Sequence, residues 1–338
     1  MDLTADYLGL ELKSPLVVSS TPLSKSVDNI MRMEAAGAGA VILPSLFEEQ
    51  LTLDASALEQ DLARGSESYA ESLSYLPAQQ DIYHYTQAAY VAHLQAAKRN
   101  VSIPVIASLN GASPGGWTHF ARELEAAGAD ALELNTYSLA TDPTIPSGEV
   151  EQGLIDLVAQ VKRSVTIPVA VKLSPQFTTI PYLARQLEAA GADALVLFNR
   201  FYQPDFDIDK LEVVPRIIFS SREELLLRLH WVAILYGNTN CDLAITGGVH
   251  TAECVLKSIM AGAQVAMMTS ALHLNGIGWI ADVQSDLIRW MEEHEYHSIR
   301  QMRGSLSRRS VPDTTPFDRG NYIKTLSSYT LRPGMPHS

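Results

Sequence analysis

The triplet Ala-Gly-Ala recurs four times along this chain, at Ala36-Gly37-Ala38, Ala127-Gly128-Ala129, Ala190-Gly191-Ala192 and Ala261-Gly262-Ala263, each time followed by a short apolar run. Glycine tolerates the left-handed backbone at a helix end, so each copy reads as a helix running out into a buried strand. The copies belong to a longer repeat. Ile103-Pro104-Val105 and Ile167-Pro168-Val169 are 64 residues apart, and Gly128 and Gly191 are 63 apart. That interval holds two strand–helix units, so repetition at it points to successive βα units.

Apolar runs of strand length occur at 16–20, 40–45, 105–109, 131–136, 169–174, 194–199, 243–248 and 265–270. Several lack alternation, as expected of parallel strands covered on both faces, and helical patterns such as 117–127 and 180–190 lie between them. The sequence therefore predicts a closed (β/α)8 TIM barrel. An open doubly wound sheet would call for a glycine-rich first turn, and Ser19-Ser20-Thr21-Pro22 is not one. The expected organisation is one barrel domain over 1–303. Long loops follow strand 2 (46–100, with a helical stretch at 85–97) and strand 6 (200–224), and 304–338 reads as an irregular C-terminal tail.

A hydrophobic content of 46% supplies a large core, while a net charge of -13 argues against a nucleic-acid surface, which needs clustered Lys and Arg. The one dense basic stretch, Arg303 with Arg308 and Arg309, reads as a solvated tail. Two cysteines, Cys241 and Cys254, exclude a disulfide framework and cannot alone ligate an iron–sulfur cluster; they fit a reducing cytoplasm. The acidic start, Met1 to Asp6, predicts neither a secretion signal nor a membrane anchor. His250 and His273 lack any metal-ligand spacing and read as packing or surface residues.

Barrel chemistry collects where the strands end, so the polar residues closing each run are the candidates. They are Ser19-Ser20-Thr21, Pro44-Ser45, Ser108 with Asn110, Asn135-Thr136, Lys172 with Ser174, Asn199, Thr246-Gly247-Gly248 and Thr269-Ser270. Lys172 lies inside an apolar strand, where an unpaired ammonium is costly. Three roles are open to it: stabilising charge on a cofactor, forming a Schiff base, or holding a structural ion pair. Thr246-Gly247-Gly248 and Thr269-Ser270 end the last two strands, where barrels often bind phosphate through backbone N–H groups and hydroxyls. Asn110, Asn135 and Asn199 carry amides that suit the edge of a heterocycle.

Val171-Lys172-Leu173-Ser174-Pro175, Glu133-Leu134-Asn135, Thr246-Gly247-Gly248-Val249 and Thr269-Ser270-Ala271-Leu272, in this order and spacing, resemble the dihydroorotate dehydrogenase family of FMN-dependent barrels. The resemblance runs from Leu8 to about Arg303. It implies that Ser19, Ser20 and Thr21 pass beside a flavin ring and that Lys172 stabilises its negative charge. It also implies that Gly247, Gly248, Thr269 and Ser270 hold the phosphate, while Asn110, Asn135 and Asn199 line the ring, Asn135 and Asn199 also facing the substrate. Family chemistry removes two hydrogens from dihydroorotate, a small-molecule substrate, and the base position falls on Ser138. A homodimer is implied as well.

The chain also departs from the family pattern. Pro44 stands where the family has a lysine, 72–78 lacks the expected amide, and Leu139-Ala140 replace Pro-Asn after the base. Buried hydrogen-bonding groups of a ligand left unpaired weaken binding heavily, so the expectation is a kept flavin site and an eroded orotate site. The expected function is an FMN-dependent oxidoreductase acting on a CH–CH bond in pyrimidine biosynthesis, with altered or lost substrate activity. The alternatives are a non-catalytic FMN-binding paralogue or assembly partner, and a flavin-free Schiff-base lyase or aldolase using Lys172. The electron acceptor is left open.

Overall fold

The apolar runs become parallel strands in a computed structural model that describes residues 1–47, 86–110, 114–137, 139–200, 203–214, 216–319 and 321–327. Two short antiparallel hairpins stand outside the barrel ring, β1 (Ala5–Tyr7) with β2 (Leu10–Leu12), and β9 (Asp205–Asp207) with β10 (Glu212–Val214). The remaining strands are β3 (Leu16–Val18), β4 (Ala40–Phe47), β5 (Val105–Asn110), β6 (Ala131–Asn135), β7 (Val169–Leu173), β8 (Ala194–Leu197), β11 (Asp242–Thr246) and β12 (Val265–Met268). Each pairs with its neighbours in parallel, and β8 meets β11 while β12 meets β3, so the ring closes. This is the predicted (β/α)8 barrel. The predicted runs overshoot six of the eight strands by one or two residues, because the polar residues that close them already belong to the turns, while β4 and β5 run past theirs.

Helices α1 (Val27–Ala35), α2 (Gln87–Asn100), α3 (Pro114–Ala126), α4 (Ser147–Ser164), α5 (Ile180–Ala189), α6 (Leu225–Leu235), α7 (Ala252–Ala261), α8 (Ser270–Asn275) and α9 (Trp279–Glu293) alternate with the strands. Side chains sort by the period of two. Val18, Val41, Val105, Leu132, Val171, Leu195 and Ile245 face outward into one core with the helices. Val17, Ile42, Ile106, Ala131, Ala170, Val196, Ala244 and Met267 face inward and form a second core with Tyr7, Leu8 and Leu12. The β1–β2 hairpin therefore stoppers the amino end of the barrel. Asp242, at the start of β11, secures it by accepting the Leu8 N–H at 2.7 Å.

The repeat in the sequence has a structural cause. Glu34, Glu125 and Glu188 each sit next to last in their helix, just ahead of an Ala-Ala-Gly ending. Each carboxylate reaches the entry loop of the strand after next. Glu34 accepts from Ser102 N and Oγ at 2.8 and 2.6 Å, Glu125 from Thr166 N and Oγ1 at 2.7 and 2.6 Å, and Glu188 from Thr239 Oγ1 and Asn240 N at 2.7 and 3.0 Å. A second clamp follows each middle copy. Asp130 takes Val105 N and Lys98 Nζ, and Asp193 takes Val169 N and Lys162 Nζ, all at 2.6–2.7 Å. These side chains staple the loops at the amino end of the barrel, leaving the carboxyl end for other work.

The decorations refine the expectations. β4 continues to Phe47, α2 overlaps the helical stretch expected at 85–97, and 48–85 lie outside the described residues. The excursion after strand 6 carries the β9–β10 hairpin. The described part of the tail follows α10 (Ile299–Met302) and contains a 3-10 turn at Thr315–Phe317 and a helix, α11 (Asn321–Ser327); 328–338 lie outside the described residues. Its first residues dock on the barrel wall, with Gly304 N donating to Ile259 O and Arg308 N to Ala233 O at 2.9 and 3.0 Å. Among the described residues, no helix is long and apolar enough to cross a membrane.

Candidate active site

A cavity of about 590 Å³ opens at the carboxyl ends of the strands. Ser19, Ser20, Thr21, Asn135, Lys172, Asn199, Thr246, Gly247, Gly248, Thr269 and Ser270 all line it, so the structure brings together most of the residues the sequence singled out, while Ser108, Thr136 and Ser174 stand behind the wall. Asn110 is different: it ends β5 in a buried position and is not in the cavity wall. Ser138 and the 72–78 stretch lie outside the described residues.

Gly247 and Gly248 take φ of +89° and +82°, a conformation that favours glycine. A Cβ on Gly248 would stand 2.5 Å from the Leu225 backbone N, and one on Gly247 would stand 2.8 Å from Arg228 Nη2. The turn is thus pressed flat against α6, leaving its other face open to the cavity. Ser270 adds a hydroxyl beside it, accepting hydrogen bonds from Ser220 N at 3.0 Å and Ser220 Oγ at 2.9 Å. Gly248 N–H donates to Ser220 Oγ at 3.3 Å. Backbone N–H groups, hydroxyls and absent side chains make a cradle suited to a phosphate-sized anion.

On the opposite wall a polar chain crosses the strands. Ser45 and Ser108 share a hydrogen bond at 2.8 Å, Asn135 Nδ2 donates to Ser45 Oγ at 3.2 Å, and Asn199 Nδ2 donates to Asn135 Oδ1. Ser45 owes its place to a register shift in β4 between Ile42 and Ser45. Pro44 has no N–H to give to a ladder, and a bulge there turns Ser45 and Phe47 toward the barrel axis where strict alternation would turn them away.

Lys172 projects inward from β7, its side chain 9% exposed, with Nζ 3.4 Å from Glu133 Oε1. The structural ion pair considered for this lysine therefore exists, and it leaves the ammonium on the cavity wall. Glu133 is itself buried, and its second oxygen has no hydrogen-bond partner among the described residues; Tyr7 Oη below it is in the same position. Burial first, then the charges of Glu133 and Asp242, push the Tyr7 phenol well above its ordinary range, so it stays protonated.

The outer rim is more apolar, with Phe47, Ile217 and Phe219 in the wall. His273, read from sequence as packing or surface, belongs to this wall: Nε2 bonds to Thr21 Oγ1 at 2.9 Å and the ring stacks on Phe219. Burial lowers its pKa, favouring the neutral ring. Sequence reasoning also passed over Ser220, Arg228 and Glu133. Ser220 and Arg228 carry no motif of their own, and Glu133 appears in the Glu133-Leu134-Asn135 motif without a role, although the period of two points it inward with Lys172.

Comparison with known proteins agrees with this arrangement. The family model described as dihydroorotate dehydrogenase matches residues 80–291. The catalytic subunit of dihydroorotate dehydrogenase B (NAD(+)) from Thermoplasma acidophilum is 26% identical over 312 residues, 90% of this chain and 98% of that protein. Its counterpart from Methanosarcina acetivorans is 26% identical over 303 residues, 88% and 93% of the two chains. A putative dihydroorotate dehydrogenase A (fumarate) from Aeropyrum pernix is 28% identical over 211 residues, 60% of this chain and 67% of that one. A match that spans both the Lys172 strand and the two-glycine turn joins the family's core to this cavity, and the chain belongs to the dihydroorotate dehydrogenase family.

Proposed function

We propose that this chain binds FMN across the mouth of the barrel and works as an oxidoreductase of the dihydroorotate dehydrogenase type. The observation that carries the proposal is the opening of one buried ammonium, Lys172, and one two-glycine anion cradle onto the same cavity. Gly247, Gly248, Thr269 and Ser270 fit the phosphate, and Ser19, Ser20 and Thr21 with the Asn135–Asn199 pair fit the two edges of the ring. Bound FMN supplies a two-electron acceptor for hydride. Lys172 would offer fixed positive charge to the bound ring, and its Glu133 partner holds the ammonium in place. In this reading Ser138 takes the proton from the substrate, as the family pattern implies.

The substrate half of the family pattern is altered in the cavity wall. Pro44 lines the cavity where the family resemblance expects a lysine, so one charged contact to an anionic substrate is replaced by an apolar one. That observation favours a second reading, a flavoprotein that keeps FMN while turning over a different compound or none. Anaerobic mixing of the FMN-loaded protein with dihydroorotate separates the two. Bleaching of the visible flavin band supports dihydroorotate oxidation; a yellow solution that dithionite bleaches and dihydroorotate does not favours the second reading.

A homodimer is part of the proposal. The β9–β10 hairpin turns Phe206, Ile208, Leu211 and Val213 to solvent, with Leu211 90% exposed. Such a patch on one protruding element suits contact with a second copy of the chain.

A further inference from the structure

Behind the two-glycine turn lies a guanidinium with little access to solvent. Arg228, from α6, is 5% exposed; Nε donates to Thr246 O at 2.7 Å and Nη1 to Glu224 O at 2.6 Å. Nη2 stands so close to Gly247 that a Cβ there would meet it at 2.8 Å. Arg228 does not line the cavity and Gly247 does, so the glycine turn stands between its charge and the cradle.

Local charge does not balance. The carboxylate of Glu224 lies 3.8 Å from Arg228 Nη2 and also accepts from Arg200 Nε at 3.0 Å, so a single carboxylate serves two guanidiniums. Burying a guanidinium is costly unless an opposite charge compensates it, and this cluster carries one positive charge more than it carries negative. The surplus faces an anion cradle in a protein whose overall charge is -13.

We infer that Arg228 is the fixed counter-charge of the phosphate turn, setting affinity for the anionic end of the cofactor through Gly247 without touching it. The inference rests on the FMN reading and deepens it. Arg228 is a positioning residue in this account. Its bond to Thr246 O ties the turn to α6, and its charge adds a long-range attraction that neither a hydrogen-bonding amide nor a packing side chain can supply.

The test compares two flavins that share a ring and differ in the phosphate. The full-length protein, stripped of flavin, is titrated with FMN and with riboflavin, following fluorescence quenching, for wild type, Arg228→Lys and Arg228→Gln. The expected result is a loss of about tenfold in FMN affinity for Arg228→Gln, roughly 1.4 kcal/mol. Arg228→Lys should recover most of that loss, and riboflavin should bind all three alike. Equal losses for both flavins would make Arg228 a mere prop, and a lysine variant no better than glutamine would rule out the charge. Glu224→Gln, made in an Arg200→Gln background because Arg200 lines the cavity and shares that carboxylate, guards against misfolding of the Arg228 variants: against Arg200→Gln alone, FMN should bind tighter and riboflavin unchanged, and no gain would overturn the inference. A wild-type protein that binds FMN no better than riboflavin would overturn the phosphate-turn reading itself, an outcome distinct from unaffected variants in a protein that prefers FMN.

Discussion

Gly248 shows how tightly single residues shape this site. With φ at +82° and the Leu225 backbone N in the way, an alanine there meets both strain and collision, and backbone has nowhere to go. Gly248→Ala should destabilise the protein by about 1–3 kcal/mol and weaken FMN binding, as read by urea melts and flavin titration. Gly153→Ala is the matched control: in α4 a Cβ at this position meets open space, so the change should stabilise by about 0.5–1 kcal/mol and leave flavin binding alone. At this scale, the sequence made visible what interrupts a pattern. Lys172 inside Val-Ala-Val-Lys-Leu and paired glycines after a strand stand out, and the structure puts both on the cavity wall. Arg228 and Ser220 were not legible, because their importance lies in partners 18 and 50 residues away, Thr246 and Ser270.

At the scale of elements, the fourfold Ala-Gly-Ala junction made the barrel readable, since each copy marks a helix end and a strand start at once. The same repeat carries the glutamate staples, and these predict an acid response. The hydrogen bonds from Thr166 and Ile167 hold Glu125 below its ordinary value of 4.5, and those from Thr239 and Asn240 do the same for Glu188. A carboxylate whose folded pKa is depressed contributes stability above its unfolded value, and that contribution is lost as pH falls through the folded one. A Glu125→Gln/Glu188→Gln double variant should therefore be less stable than wild type near neutrality, with the gap closing below about pH 4.5. Urea midpoints across that range check it; a gap that stays constant with pH would count against the staples. Less of the other elements was legible. The register shift at Pro44 and the β9–β10 hairpin depend on pairings that no local periodicity records, and Asp205-Phe206-Asp207 is too short to show one.

For the whole molecule, the exposed hairpin bears on assembly. Leu211 adopts φ of +55° at 90% exposure, an unusual choice where asparagine or aspartate would be more comfortable. On the proposed homodimer, Leu211→Asp should leave the hairpin's local conformation unstrained and yield a monomer where wild type runs as a dimer in light scattering during gel filtration; a monomeric wild type would remove the homodimer from the proposal. A variant that stays dimeric would move the self-contact elsewhere. The fold, the position of the cavity and most of its wall were thus readable from residue patterns, while charge balance, assembly surface and rim were written in contacts between distant segments. The proposed function puts a flavin phosphate in the Gly247–Gly248 cradle with its ring beside Lys172. The most direct measurement is to mix the purified chain with FMN, desalt it and record its visible spectrum: the account predicts a yellow protein retaining stoichiometric FMN, and a colourless protein from which the FMN has washed away would contradict it.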